Sequence, residues 1–117
     1  MNKRRIGGIF ENMAADYLVS QGLLILERNY RCRMGEVDLI ARDGNYLVFV
    51  EVKYRNSSRN GNAAEAVDWR KQRVISHVAS FSLMSHHDTT NHPCRFDVIA
   101  IDQGTIHWYR NAFEYCP

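Results

Sequence analysis

Apolar residues recur at helical spacing from about Ile9 to Ser20, at Phe10, Met13, Ala14, Tyr17 and Leu18, and Gln21-Gly22 supplies a stop. This stretch predicts a helix. Leu23 to Tyr30 passes from apolar to polar and reads as a strand, and Arg31 to Gly35 as a turn or bulge. Glu36 to Arg42 alternates in part, which predicts a strand with Val37, Leu39 and Ala41 on one face and Glu36, Asp38 and Ile40 on the other. Asp43-Gly44-Asn45 is a hairpin signal. Tyr46 to Tyr54 is the strongest strand, and its opening apolar run lacks alternation, as expected where both faces are covered. Arg55 to Asn62 is polar and reads as a loop. Ala63 to Leu83 predicts a long helix whose stripe includes Val67, Val74, Val78 and Phe81. After a polar linker from Ser85 to Pro93 come a strand over Arg95–Ile101, a tight turn at Gln103-Gly104 and a last strand over Thr105–Arg110. The order α-β-β-β-α-β-β, with a helical crossover between two strands, points to an α/β fold with a mixed sheet flanked by helices.

The 117 residues suffice for one core, so residues 1–117 are expected to form a single domain. A hydrophobic fraction of 45% and a charged fraction of 24% match an ordinary globular chain and exclude a disordered one. No apolar run approaches the roughly 20 residues needed to span a bilayer, so no membrane role is expected. The basic start, Lys3-Arg4-Arg5, leads into a polar helix with Glu11 and Asp16 rather than an apolar secretory segment, which makes the cytoplasm the expected location. Cys32, Cys94 and Cys116 are odd in number and lack Cys-x-x-Cys spacing, so they read as reduced, partly buried thiols. A net charge of +2 alone decides little, but Arg28–Arg33, Lys53–Arg59 and Arg70–Arg73 gather it into clusters suited to phosphate backbones.

Candidate chemistry concentrates on two neighbouring strands. Glu51 and Lys53 lie two apart at the end of the strongest strand, so they share a face, and charge beside a doubly buried run needs partners. An even-numbered hairpin loop puts Asp38 opposite Phe49 and Glu36 opposite Glu51. Asp38 is then the diagonal neighbour of Glu51, roughly 7–8 Å away. An odd loop would send Asp38 to the wrong face. Two such carboxylates suit a hard cation, Mg²⁺ or Mn²⁺, which activates water and polarises a phosphoryl oxygen; Lys53 can then stabilise developing charge.

Asp38 followed by Glu51-Val52-Lys53 is similar to the PD-(D/E)xK nuclease signature. The wider text includes Glu11 with Ala14 and Leu18, Asn29-Tyr30-Arg31, Gly35 to Ile40, Phe49 to Lys53, and Arg95 to Val98. It resembles the bacterial UPF0102 (YraN-like) family, itself similar to archaeal Holliday-junction resolvases. The resemblance runs from Gly7 to Phe113. It implies a restriction-endonuclease-like fold, Asp38 and Glu51 as metal ligands, Lys53 as the catalytic lysine and Glu11 as a further metal-holding carboxylate. It also implies branched or structured DNA as substrate, and by analogy a homodimer. Val37 stands where the signature has proline, a position that shapes the turn rather than the chemistry.

Other residues carry weaker signals. Lys71 falls on the core-facing stripe of the second helix and must snorkel or find an acid, of which Asp38 and Glu51 are the nearest candidates, for an ion pair or for catalysis. Arg55, Ser57, Ser58 and Arg59 follow the catalytic strand and can grip phosphates, though a polar loop is the blander reading. Glu36 shares the site face and is either a supporting residue or a solvated charge, while Asp97 is expected to pair with a basic neighbour. His86, His87 and His92 sit in a linker without metal-site geometry. A module that keeps the fold and binds nucleic acid without cutting is the main alternative to an endonuclease.

Overall fold

The computed structural model describes residues 3–55, 67–86 and 93–117. Its elements are α1 (Lys3–Ser20), β1 (Leu24–Cys32), β2 (Gly35–Asp43), β3 (Tyr46–Arg55), α2 (Trp69–His86), β4 (Cys94–Asp102) and β5 (Thr105–Phe113). The order α-β-β-β-α-β-β agrees with the pattern read from the sequence, and the five strands form one sheet in the order β1-β2-β3-β4-β5. β3 and β4 run parallel across the helical crossover, and the other three pairings are antiparallel. Boundaries differ mainly at the helices. α1 begins six residues earlier than Ile9. α2 begins at Trp69, where the Asp68 carboxylate accepts the Lys71 amide and caps the first turn, and it runs on through Ser85 and His86, which the sequence assigns to the linker.

One core lies under each helix. On the α1 side Ala14, Leu18 and Leu23 pack on Leu39, Ala41, Val48, Val50, Ile99 and Ile101. On the α2 side Ile75, Val78 and Ala79 pack on Val37, Ile40, Phe49, Phe96 and Val98. The apolar runs of β3 and β4 are thus covered from both sides, because the parallel crossover places α2 over one face while α1 occupies the other. α2 packs tightly over Gly35. A Cβ there would lie 2.5 Å from Val74 Cγ1, and its φ of 139° already excludes most side chains.

Strand β2 departs from simple alternation. Val37 belongs to the α2-side core with Ile40, while Leu39 and Ala41 belong to the α1 side, so the expected grouping of Val37 with Leu39 and Ala41 does not hold. The change of side falls at Asp38. Asn29, which lies across from Asp38 between the pairs Arg28↔Leu39 and Tyr30↔Val37, has a left-handed φ of 51°. Asparagine tolerates that conformation, which re-aims the side chains on either side of it.

Candidate metal centre

The β2–β3 hairpin turns on Gly44 and Asn45, with Asp43 paired to Tyr46 and Gly44 at φ 60°, the place a type II′ turn gives to glycine. The loop is even, as the sequence reading required, but the pairing is shifted by one residue on each strand. In that register Asp38 falls directly across from Glu51, not diagonal to it, and Glu36 is not opposite Glu51. The ladder itself ends at Leu39↔Val50. Beyond it β2 continues along β1 and β3 continues along β4, so the sheet forks. Asp38 sits in the crotch of the fork, where its Oδ2 accepts the Val52 amide at 2.8 Å. A side chain thus replaces the next rung of the ladder, satisfies a backbone donor that the fork would otherwise strand, and fixes the carboxylate in place.

Glu51 projects from the same point toward α2. It is 4% exposed and hydrogen-bonds the Asp38 carboxyl. Two lysines approach it, Lys53 from two residues along the strand and Lys71 from α2, each with Nζ 3.6 Å from Glu51 Oε2. Lys71 on the core-facing stripe therefore does find the acid expected of it. The lysines do not balance the site. Burial, then the charge and hydrogen bond of Asp38, push the Glu51 carboxyl from its ordinary 4.5 up to about 8, against the opposing pull of Lys71 and Lys53. Glu11 reaches the fork from α1. Its carboxyl is raised by partial burial and by Asp38, less so by Glu36, while a hydrogen bond from Asn29 and the charge of Arg28 work the other way. The Arg28 guanidinium is held in turn by the Asn12 side chain. The stacked rings of Phe10 and Tyr54, with centroids 4.3 Å apart, tie α1 to the end of β3 beside this point.

The fork therefore brings together Asp38, Glu51, Lys53 and Lys71, with Glu11 within electrostatic reach. Among the described residues no three His, Cys, Asp or Glu side chains converge into a preformed cage. The donor set nonetheless fits a hard divalent ion. The buried Glu51 carboxyl and the half-buried Asp38 carboxyl are hydrogen-bonded to each other, and two oxygen-donor groups drawn together in this way suit a hard cation. Glu36 is not part of the set: it pairs across the strands with Arg31 on the surface. Asp97 does pair with a basic neighbour, Arg95, on the other face of the sheet. Ser57, Ser58 and Arg59, together with His87 and His92, lie outside the described residues, as do the side chains of Arg55 and His86. Cys32, Cys94 and Cys116 are half-buried and in no disulfide. No described helix is long and apolar enough to cross a membrane.

Asn29 carried no role in the sequence reading, yet it hydrogen-bonds Glu11 and lies across the strand from Asp38. Its signal was an asparagine in the middle of a strand, where that residue is a poor fit unless the backbone is bent.

The profile of the Uncharacterised protein family UPF0102 matches residues 10–101. A UPF0102 protein of Lachnoclostridium phytofermentans is 46% identical over 114 residues, covering 97% of each chain. One from Pseudomonas putida is 46% identical over 92% of each. One from Saccharophagus degradans is 50% identical over 103 residues, covering 88% of this chain and 87% of its own.

Proposed function

The chain belongs to the UPF0102 family, and from the chemistry of its forked sheet we propose that it is a divalent-metal-dependent endonuclease acting on branched or otherwise structured DNA. One observation carries the reading: a carboxyl pushed up to about 8 by burial and then by a second carboxyl, with two lysines beside it, at the point where the sheet opens. Perturbed acids in such a place are the mark of a working site more often than of a structural one. Asp38 and Glu51 would hold Mg²⁺ or Mn²⁺, with Glu11 supporting from α1. Bound there, the metal supplies an activated water and a polarised phosphoryl oxygen.

The chain's own residues account for the rest. The Val52 amide orients the Asp38 carboxylate before any ligand arrives. Lys53 and Lys71, each with Nζ 3.6 Å from Glu51 Oε2, would offer ammonium groups to a phosphate and stabilise the negative charge that develops on it. Burial of Glu51 strengthens each of these electrostatic contacts. The cytoplasm is the location this reading expects, and a two-fold symmetric junction would favour a homodimer.

A second reading, a nucleic-acid-binding module that does not cut alone, draws on the lysine contacts that already occupy Glu51. The two are separated by incubating the protein with four-way junction, flap and linear DNA, with and without Mg²⁺ or Mn²⁺. Cleavage that needs the metal and vanishes in Asp38→Ala is the expected result. No cleavage of any substrate, or equal cleavage by Asp38→Ala, rejects the nuclease.

A further inference from the structure

From Trp69 to His86, α2 carries Arg70, Lys71, Arg73 and His77 and not one acidic side chain. Lys71 turns inward to Glu51. The helical period sends Trp69, Arg73 and His77 to the opposite, outer face. Trp69 is 61% exposed, an unusual state for the largest apolar side chain, and the Arg73 guanidinium stands 5.9 Å from its ring centroid. Two grooves follow along this face. A cavity of about 380 Å³ is bounded by Trp69, Arg70, Arg73, Val74 and His77. The next, of about 540 Å³, takes in His77 as well, with Arg33, Met34, Phe81 and Met84. His77 is common to both, so the grooves form one track. In the second groove the pattern repeats, with the Arg33 guanidinium 6.0 Å from the centroid of Phe81.

We propose that this outer face of α2 binds a single-stranded stretch of nucleic acid, with Trp69 stacking on an unpaired base and Arg70, Arg73 and Arg33 on its phosphates. Charge complementarity selects a polyanion. The exposed Trp69 ring and the half-buried Phe81 ring, each beside a guanidinium group, select one that has free ring faces to offer, because bases closed in a duplex cannot reach an indole. Trp69 and Phe81 are twelve residues apart, about 18 Å along the helix, which is room for roughly five nucleotides at 3.4 Å each. The track starts on the turn of α2 that delivers Lys71 to the forked site. On the nuclease reading, a strand lying in it would lead from that turn of α2 toward the site, with the paired DNA on the site's side of the helix. As a statement about substrate this rests on the nuclease reading; as a statement about binding it does not.

The test is a titration of the full chain with a 15-nucleotide oligo(dT), without divalent metal, followed by tryptophan fluorescence and anisotropy. Quenching on binding, affinity at least tenfold above that for a duplex of equal length, and a further loss of about tenfold to a hundredfold in Trp69→Ala are expected. Arg70→Ala and Arg73→Ala should each lower the salt slope by about 0.7. Trp69→Phe should keep most of the affinity, which guards against a folding artefact, as do unchanged thermal melts. Equal affinity for duplex, or binding indifferent to Trp69→Ala, overturns the proposal. So does binding confined to anionic phosphatidylglycerol vesicles or to an acidic peptide. Asp38→Ala should bind oligo(dT) like the parent. Trp69-dependent binding without metal-dependent cleavage would leave this inference standing and remove the nuclease; cleavage with binding indifferent to Trp69 would do the reverse.

Discussion

Glu51 and Asp97 are buried carboxylates on adjacent, parallel strands, one residue apart in register, and they face opposite sides of the sheet. Asp97, with no exposed surface, accepts hydrogen bonds from Arg95 Nε and NH2, from the Trp108 indole and from the Asn111 amide, all within 2.9–3.0 Å. Arg95 is completed in turn by Asp43 at 3.0 Å. Burial works against the guanidinium charge, yet the two carboxylates outweigh it and hold its pKa above the usual value. Asn111, at a left-handed φ of 51°, lies where β5 bulges opposite Asp97, so the carboxylate also closes a gap in the ladder. Glu51 has none of this completeness. Among the described residues its cations, Lys53 and Lys71, stand at 3.6 Å, it is hydrogen-bonded to another acid, and its pKa is raised. A buried acid whose donors are all supplied is part of the scaffold, whereas one left short of positive charge is waiting for a partner.

The largest test of this contrast is Asp97→Ala. It strands the buried Arg95 charge and two donors, so a loss of about 3–5 kcal/mol in urea denaturation is expected, unchanged by added Mg²⁺. Metal dependence of this loss would place Asp97 in the working site and break the comparison. Added Mg²⁺ at a hundredfold its dissociation constant should stabilise the parent by about 2.7 kcal/mol at pH 8, and Asp38→Asn or Glu51→Gln should abolish that gain, as calorimetry would show. Gly35→Ala forces α2 off β2 and is expected to cost about 2 kcal/mol; because α2 carries Lys71, it should also lower metal-dependent activity more than an equally destabilising core change elsewhere.

The pH dependence of stability reports on Glu51. Glu51 binds its proton more tightly when folded than at its ordinary value of 4.5, so the folded state holds more protons between that pH and about 8. Its contribution is fully present below pH 4.5 and is lost as pH rises toward 8. The fall in melting temperature over that window should flatten in Glu51→Gln, and a slope that persists in the variant assigns it to another group. The smallest effect belongs to Glu36→Gln. Its pair with Arg31 is largely solvent-exposed, and a change under about 1 kcal/mol with full activity is expected. A large loss of activity would return Glu36 to the site.

Much of this was legible in the chain. Alternation and helical spacing placed all seven elements, because each buries an apolar face and the period of that face differs between helix and strand. The doubly apolar start of β3 announced its central position, and Lys71 on a core-facing stripe announced that an acid must meet it. The turn was legible only in parity. Asp43-Gly44 and Gly44-Asn45 are both acceptable two-residue loops, and local chemistry does not choose between them. The choice moved Asp38 from diagonal to directly across from Glu51. The resemblance to nucleases drew the same residues together without describing the fork that holds them.

By itself, then, the sequence determined the order of elements, the two-sided core and the identity of the acids and lysines that had to meet, since these follow from hydrophobic period and from the cost of unpaired charge. Only the tertiary structure decided which carboxylate would be finished and which left short. That outcome depends on where the ladder between β2 and β3 stops, on a left-handed Asn29 re-aiming β1, and on α2 settling against Gly35. Each is a long-range packing result: the charge balance at Glu51 is set by groups from three separate elements, β2, β3 and α2, and no local stretch of chain contains it.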